Sequence, residues 1–293
     1  MKTFTGTGVA IVTPFKNDTS IDFNALGNVV EHVINGGVNY IVGLGTTGEA
    51  TTLTKIEKQA VITFLVDSIG KRVPLVIGIG GNNTQEIVNF IKETDLSGVD
   101  AILSVAPYYN KPTQKGLFMH FKTIANSTKL PVILYNVPGR TCSNIAADTC
   151  IDLAKTCDNI IGIKEASGNL KQIMDIIKGK PDNFIVISGD DSLTIPIIAV
   201  GGSGLISVIG NAYPSQVSEI VYQALNNNFE LARETQFKLL EMTDLMFVDG
   251  NPAGIKALLS SMGLAENYLR LPLAPVSDQT MDKIIKTKNS FKK

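Results

Sequence analysis

A lysine at the end of an apolar segment is the residue of this chain best placed for covalent chemistry. Lys164 closes the run Ile160–Lys164 and is followed directly by Glu165. A lysine amine that points into an apolar interior loses hydration, which favours its neutral form, a nucleophile that forms Schiff bases with carbonyl compounds. On a solvated rim the same lysine would instead pair with Glu165 or another acid. The run by itself leaves both interpretations open.

A second apolar run, Val132–Asn136, ends near residues that could assist such a lysine. It contains Tyr135, and Arg140 lies in the segment that follows it. A tyrosine on the strand next to Lys164 could relay protons to its adduct, and the planar guanidinium of Arg140 could hold a carboxylate through two parallel hydrogen bonds. A core aromatic side chain and a solvated arginine remain the alternatives.

The segment Gly43–Glu49 has the glycine spacing of a dinucleotide-binding turn. Such a site also needs an acidic residue at the end of the following strand, and the segment Gly78–Asn83 supplies none. We therefore reject a nucleotide cofactor. The backbone N–H groups of a glycine-rich turn can equally hold a carboxylate, and the hydroxyls of Thr46 and Thr47 add donors that can also carry protons.

Eight short apolar runs recur along the chain, each followed by a segment of helical spacing. Continuous apolar runs are typical of strands covered on both faces, and eight successive strand–helix units predict a closed parallel (β/α)8 TIM barrel. Active sites of such barrels lie at the carboxyl ends of the strands, where the residues above are found. The runs are Gly8–Thr13, Tyr40–Gly43, Leu75–Ile79, Ala101–Ala106, Val132–Asn136, Ile160–Lys164, Phe184–Ser188 and Leu205–Ile209.

Helical patterns connect these runs and continue beyond the last one. Phe23–Asn35 has apolar residues at helical spacing, and Thr54 with Glu57 forms a capping-box pattern that opens a helix to Ile69. We predict a catalytic barrel over residues 1–224 and a C-terminal helical extension over residues 225–293. The patterns near the C-terminus lie at Gln216–Asn226, Glu230–Phe247, Pro252–Met262 and Met281–Lys288.

Two further strand ends carry candidate functional residues. Tyr108 and Tyr109 lie in the loop Pro107–Pro112, from which they could reach a neighbouring active site or form a subunit contact. Asp190 and Asp191 follow the seventh run, in the region of TIM barrels that commonly binds phosphate, so their charges argue against a phosphorylated substrate. The two histidines lie in separate helical patterns, and we expect no metal site.

Composition excludes several classes of protein. A formal charge of −1 provides no excess of positive charge that would favour binding to nucleic acid or to an anionic membrane. Three cysteines predict no disulfide framework, and small buried thiols in a reducing cytoplasm are the expectation. Met1–Phe4 begins no apolar leader, so we expect no signal peptide. The uncharged segment Ser192–Ser218 could span a bilayer by length, but its glycines and prolines predict a buried helix, a turn and a strand.

Taken together, the strand-end segments resemble one family over almost the whole chain. The sequence is similar to the dihydrodipicolinate synthase family, in the superfamily that includes N-acetylneuraminate lyase. Gly45–Glu49 and Tyr135–Thr141 are the specific segments, whereas a lysine at the end of strand six is shared across the superfamily. The resemblance rests on Gly8–Pro14, Gly45–Glu49, Pro107–Pro112, Tyr135–Thr141, Ile163–Ser167 and Ser188–Asp190.

The resemblance implies a cofactor-free enzyme that condenses pyruvate with L-aspartate 4-semialdehyde to 4-hydroxy-tetrahydrodipicolinate, in the diaminopimelate route of lysine biosynthesis. Lys164 would form a Schiff base with pyruvate. Tyr135, Thr46 and Tyr109 match the family's proton relay, with Tyr109 crossing from a neighbouring subunit of a homotetramer built as a dimer of dimers. N-acetylneuraminate lyase or 2-keto-3-deoxy acid aldolase activity is the nearest alternative. The positions matching substrate-binding residues are Thr47, Arg140, Gly189 and Ile206.

One departure from the family pattern concerns regulation. Many members bind lysine as a feedback inhibitor, and Tyr108, Asn82 and Glu86 match that allosteric site. Ala50, Lys55 and Lys58 stand where inhibited bacterial members often have a serine and two histidines. Two cations should repel the cationic inhibitor by about 1 kcal/mol each. We therefore expect weak or absent inhibition by lysine.

Overall fold

Eight parallel strands close into a barrel in the computed structural model of the chain, which describes residues 4–290. Each strand pairs with the next along the chain, and β8 pairs with β1. The predicted TIM barrel is confirmed. The strands are β1 Gly6–Ala10, β2 Tyr40–Gly43, β3 Leu75–Gly78, β4 Ala101–Val105, β5 Val132–Asn136, β6 Ile160–Glu165, β7 Ile185–Ser188 and β8 Gly204–Ser207.

The ends of β1 and β8 differ from the predicted runs. β1 stops before Val12, because the N–H of Val12 bonds to the side-chain oxygen of Asn211 at 3.1 Å and not to the backbone of β8. β8 stops at Ser207, where the carboxylate of Asp191 accepts the N–H of Val208 at 2.9 Å. Apolar patterning carries no information about these side-chain acceptors, so it extended both strands too far.

Helices follow the strands as the patterns predict. α1 has the predicted bounds, and α2 begins after the capping box, in which Thr54 Oγ1 accepts the N–H of Glu57 at 3.2 Å and the Glu57 carboxylate accepts the N–H of Thr54 at 2.9 Å. The helices are α1 Phe23–Asn35, α2 Lys55–Ile69, α3 Thr84–Glu93, α4 Gln114–Asn126, α5 Pro138–Thr141, α6 Ala147–Thr156, α7 Leu170–Gly179, α8 Thr194–Ala199, α9 Pro214–Leu225, α10 Phe229–Leu245, α11 Ala253–Ser261 and α12 Asp278–Ser290.

Two apolar layers hold these elements together. The larger layer lies between the strands and the helices, and the smaller one fills the barrel interior with alternate strand residues. Near the amino ends of the strands the interior is filled by Tyr40, whose ring occupies the space that a Cβ on Gly8 would take. Phe4 packs edge-on against this ring at 5.7 Å between centroids. This packing leaves the carboxyl ends of the strands as the place for an active site.

The C-terminal helices cover one side of the barrel. α9 packs against β1 and α10, and α12 packs against α10 and α11. A division between residues 224 and 225 stays a prediction. Residues 1–3 and 291–293, on which the expected absence of a leader and the end of the extension fall, lie outside the described residues.

The uncharged segment Ser192–Ser218 forms the predicted helix, turn and strand. The segment forms α8, a turn, β8 and the start of α9, and no helix within residues 4–290 is long and apolar enough to cross a bilayer.

Cys150 and Cys157 are buried as expected. The expectation is wrong for Cys142, which is exposed at the C-terminal end of the short helix α5.

Candidate active site

Lys164 points into the barrel rather than onto its rim. It is 5% exposed, and in the strand register it is the partner of Tyr135 on β5 and of Ile187 on β7, which both belong to the interior layer. Its Nζ lies 4.4 Å from the centroid of the Tyr135 ring. The contact of an ammonium with an aromatic face compensates part of its lost hydration. The lysine and the tyrosine are therefore side by side at the carboxyl ends of two adjacent strands.

Glu165, the acid next in sequence, faces the opposite side of β6. Its carboxylate accepts hydrogen bonds from the amides of Asn136 at 2.8 Å and Gln172 at 2.7 Å. The hydroxyl of Ser167 donates to it at 2.6 Å and the N–H of Ser167 at 3.0 Å. Because successive strand residues point to opposite faces, Glu165 serves the outer layer. The alternative in which Glu165 neutralises Lys164 at the rim is wrong.

Gly189, which follows β7, gives Lys164 its space. A Cβ at this position would lie 2.8 Å from Cε of Lys164 and 2.8 Å from Cβ of Ala166. The N–H of Gly189 donates to the carbonyl oxygen of Glu165 at 2.7 Å, which fixes the backbone next to the lysine. The nearby Ile206, on β8, is fully buried in the interior layer.

The glycine-rich turn after β2 is held close to the barrel. The N–H of Gly48 donates to the carbonyl of Gly45 at 3.1 Å, and the hydroxyl of Thr13 donates to the carbonyl of Gly48 at 2.7 Å. Thr46 is partly exposed on this turn, whereas Thr47 is buried. The hydroxyl of Thr47 accepts a hydrogen bond from Asn251, and a hydroxyl that accepts one hydrogen bond can still donate its own proton. Both threonines therefore keep donors that could bind a carboxylate.

Asn251, which precedes α11, connects two of the predicted substrate-binding residues. Its side-chain amide donates to Thr47 Oγ1 at 3.0 Å, and its carbonyl oxygen accepts from the guanidinium of Arg140 at 3.3 Å. Arg140 lies in the short helix α5 with its side chain largely exposed. Sequence reasoning missed Asn251, because a lone asparagine more than 200 residues from Thr47 carries no local signal.

The loop after β4 places Tyr109 outside the interior of this chain. Tyr109 is 87% exposed and has a φ of 73°, an uncommon backbone conformation for an aromatic residue. The loop is tied down at Asn82, whose amide donates to the carbonyl of Tyr108 at 3.2 Å and whose carbonyl accepts from Asn110 at 2.9 Å. Of the four residues predicted to be catalytic, Lys164 and Tyr135 are thus buried side by side, Thr46 is partly exposed, and Tyr109 is almost fully exposed.

The residues matching the allosteric site lie on neighbouring elements. Asn82 contacts the backbone of Tyr108, and Glu86 lies in the first turn of α3. Ala50 lies in a short turn before α2, in whose first turn Lys55 and Lys58 are found. Lys55 Nζ lies 3.6 Å from a carboxylate oxygen of Glu93, and Lys58 Nζ lies 5.8 Å from the centroid of the Phe90 ring.

The structure contains a second buried lysine, Lys256, to which the sequence analysis assigned no role. It forms an ion pair with Glu49, the residue that ends the glycine-rich turn, and both side chains are fully buried. A signal was present: Lys256 is the only charged residue in the apolar segment Ala253–Leu259. We looked for residues of the active site only at strand ends, and α11 lies outside the barrel repeat.

Comparison with known proteins agrees with this geometry. Residues 3–289 match the model of the dihydrodipicolinate synthetase family. A 4-hydroxy-tetrahydrodipicolinate synthase of Flavobacterium psychrophilum is 51% identical over 284 residues, which cover 97% of each chain.

Solved structures give the same result. A dihydrodipicolinate synthase from Aquifex aeolicus is 40% identical, with a TM-score of 0.96 over 99% of this chain and 98% of the other. A structure of a monomeric dihydrodipicolinate synthase variant is 36% identical, with a TM-score of 0.95 over 98% of this chain and 96% of the other.

Proposed function

The chain belongs to the dihydrodipicolinate synthetase family, and on that premise we propose that it works as a 4-hydroxy-tetrahydrodipicolinate synthase through a Schiff base on Lys164. The enzyme condenses pyruvate with L-aspartate 4-semialdehyde, a step of lysine biosynthesis through diaminopimelate. The observation that carries the assignment of Lys164 is its burial in the barrel interior against the ring of Tyr135, at 4.4 Å.

The chemistry follows from an amine in this position. Lys164 attacks the keto carbon of pyruvate, water leaves, and loss of a methyl proton from the imine gives an enamine. The enamine carbon attacks the aldehyde carbon of the second substrate, whose oxygen takes up a proton. The amino group of that substrate then attacks the imine carbon, closes the ring and releases Lys164. Each proton needs a carrier near the nitrogen, and Tyr135 carries a hydroxyl and is directly in register with the lysine.

The two substrate carboxylates need separate binding positions. Thr46 and Thr47, with the N–H groups of their turn, are suited to the carboxylate of pyruvate. The exposed guanidinium of Arg140 is suited to that of the semialdehyde, and its bond to the carbonyl of Asn251 holds it near Thr47. Gly189 and Ile206 complete the lining of the site around the lysine.

A homotetramer, as a dimer of dimers, is part of the proposal. Tyr109 would reach the proton relay of a neighbouring subunit, which accounts for its 87% exposure and its left-handed backbone. Exposed apolar side chains lie both on α2, at Ile56 (83%), and on α10, at Phe237 (64%). One relative is a monomeric variant, so the state of this chain needs measurement by sedimentation. We also propose a cytoplasmic location, where a reducing environment would keep the exposed Cys142 as a thiol.

Reductive trapping tests the proposed chemistry. The chain is incubated with pyruvate and borohydride, and the modified peptide is identified by mass spectrometry. We expect one adduct on Lys164, absent from the Lys164→Arg variant, and product formation only when aspartate semialdehyde is the acceptor. A trapped adduct elsewhere, or none, would exclude the role of Lys164. Equal turnover with N-acetylmannosamine or a sugar-derived aldehyde would instead exclude the proposed acceptor.

A further inference from the structure

A buried ion pair outside the strand ends adjoins the proposed pyruvate-binding turn. Glu49 leaves the turn with its side chain pointing inward, and Lys256 of α11 meets its carboxylate. Both side chains are fully buried. Buried pairs of this kind are seldom better for stability than apolar residues of similar volume. Such a pair can instead hold the segments that carry it in one conformation, and Glu49 belongs to the turn.

The surroundings of Lys256 fix its position from several directions. Its Nζ donates to the carbonyl of Tyr268 at 2.9 Å and lies 4.1 Å from the centroid of the Phe15 ring. The guanidinium of Arg270 lies 4.5 Å from the centroid of the same ring. The backbone N–H of Arg270 donates to the other carboxylate oxygen of Glu49 at 3.3 Å. Burial lowers the pKa of Lys256 to about 8, while the Glu49 carboxylate favours the charged form. The lysine therefore remains mostly charged near neutral pH.

The turn itself needs an external constraint. Leu44 and Glu49, which flank it, have φ values of 55° and 52°, in the left-handed region that side chains other than glycine rarely adopt. Such conformations persist only where surrounding contacts hold them. At Glu49 the contact is the ion pair with Lys256. The N–H of Glu49 also donates to the carbonyl of Thr46 at 3.1 Å, so a shift of Glu49 would move the proposed carboxylate site directly.

We propose that Glu49 and Lys256 are positioning residues, whose buried ion pair holds the Thr46–Thr47 turn in the conformation that binds the carboxylate of pyruvate. The inference rests on the proposed function, because it assigns the turn to pyruvate. Neither residue contacts the reacting atoms. The pair acts through the backbone, so its loss should weaken pyruvate binding more than it slows the later condensation.

A neutral pair of similar shape separates positioning from stability. In the double variant Glu49→Gln/Lys256→Met neither partner is left as an unpaired buried charge. We expect a folded protein by circular dichroism, at least a tenfold higher KM for pyruvate, and kcat within about threefold of the wild type. The matched control is Glu31→Gln/Arg72→Met, which neutralises a surface pair between α1 and the segment that follows α2. This control should leave both constants unchanged.

Two further measurements complete the test: the kinetics of a conservative variant of Glu49, and borohydride trapping of the wild type. Glu49→Asp keeps both charges but shortens the reach of the carboxylate, and should also raise the KM for pyruvate. Either variant folded with a KM for pyruvate within twofold of the wild type would overturn the inference, as would misfolding of both, which would assign the pair to the fold alone. Borohydride trapping of the wild type distinguishes the levels: no adduct on Lys164 defeats the proposed function, whereas a normal adduct with unchanged variants defeats only the positioning role.

Discussion

Gly189 lies against the side chain of Lys164 so closely that a methyl group on its Cα would be 2.8 Å from Cε and 3.1 Å from Cγ of the lysine. Cβ atoms do not approach other carbons to 2.8 Å without displacing them. The lysine is the movable partner, because the strand backbone on both sides is fixed by ladder hydrogen bonds. The position of the nucleophile is thus set by the absence of a side chain on the residue that follows the neighbouring strand.

Gly189→Ala should therefore impair catalysis. It should also lower stability, because the added Cβ would lie 2.8 Å from Cβ of Ala166, which cannot rotate away. Displacing a reacting atom by about 1 Å can cost about 100-fold in rate, so we expect kcat/KM to fall by about that factor. The rate of pyruvate trapping by borohydride should fall with it. Gly27→Ala is the control, because its Cβ would make only an ordinary 3.4 Å contact with Phe64 on the outer layer. Normal trapping by Gly189→Ala would show that Lys164 is not held by this contact.

Arg140→Ala should separate the two halves of the reaction. We expect trapping by pyruvate alone to remain normal, because Arg140 is exposed on α5 and assigned to the second substrate. The kcat/KM for aspartate semialdehyde should fall about 100-fold, since a charge-assisted pair of hydrogen bonds contributes about 3 kcal/mol. Arg72→Ala, which removes an arginine paired with Glu31 on the surface, is the control. A loss of pyruvate trapping in Arg140→Ala would contradict the assignment.

Local patterning was sufficient for most of the fold and for one half of the site. The apolar runs place Lys164 and Tyr135 at neighbouring strand ends, because a closed parallel barrel aligns all carboxyl ends on one face. The capping box of α2 is likewise a local signal, in which Thr54 and Glu57 are three residues apart. Even the orientation of Lys164 follows from alternation along β6 once the register with β5 is known.

The other half depends on contacts between distant segments. Asn251 binds Thr47 across 204 positions of the chain, and Lys256 meets Glu49 across a similar separation. The packing of the C-terminal helices decides both contacts, and no periodicity in the barrel repeat specifies how those helices return to the turn after β2. The ends of β1 and β8 were missed for the same reason, since the side chains of Asn211 and Asp191 terminate them.

Glu57 should make stability depend on pH in the acid range. Hydrogen bonds from Arg270, with those from Thr54, hold the pKa of Glu57 at about 2, against an ordinary value of 4.5. A carboxylate with a lowered pKa stabilises the fold above pH 4.5, and this contribution is lost as the pH falls from 4.5 towards 2. Urea unfolding at pH 6 should show Glu57→Gln less stable than the wild type by about 1–2 kcal/mol, allowing for partial solvent exposure. The difference should shrink at pH 3; a constant difference would contradict the linkage.

Inhibition by lysine should be weak, and the positions of Lys55 and Lys58 define how to test this. Lys55 is partly neutralised by Glu93, at 3.6 Å, so repulsion of a cationic inhibitor should come mainly from Lys58, which packs on Phe90. We expect little inhibition at about 1 mM lysine, and Lys58→Gln should lower the half-inhibitory concentration about fivefold, equivalent to about 1 kcal/mol of removed repulsion. Lys71→Gln, just beyond the C-terminal end of α2, is the control. Strong inhibition of the wild type below this concentration would show that these cations do not exclude lysine.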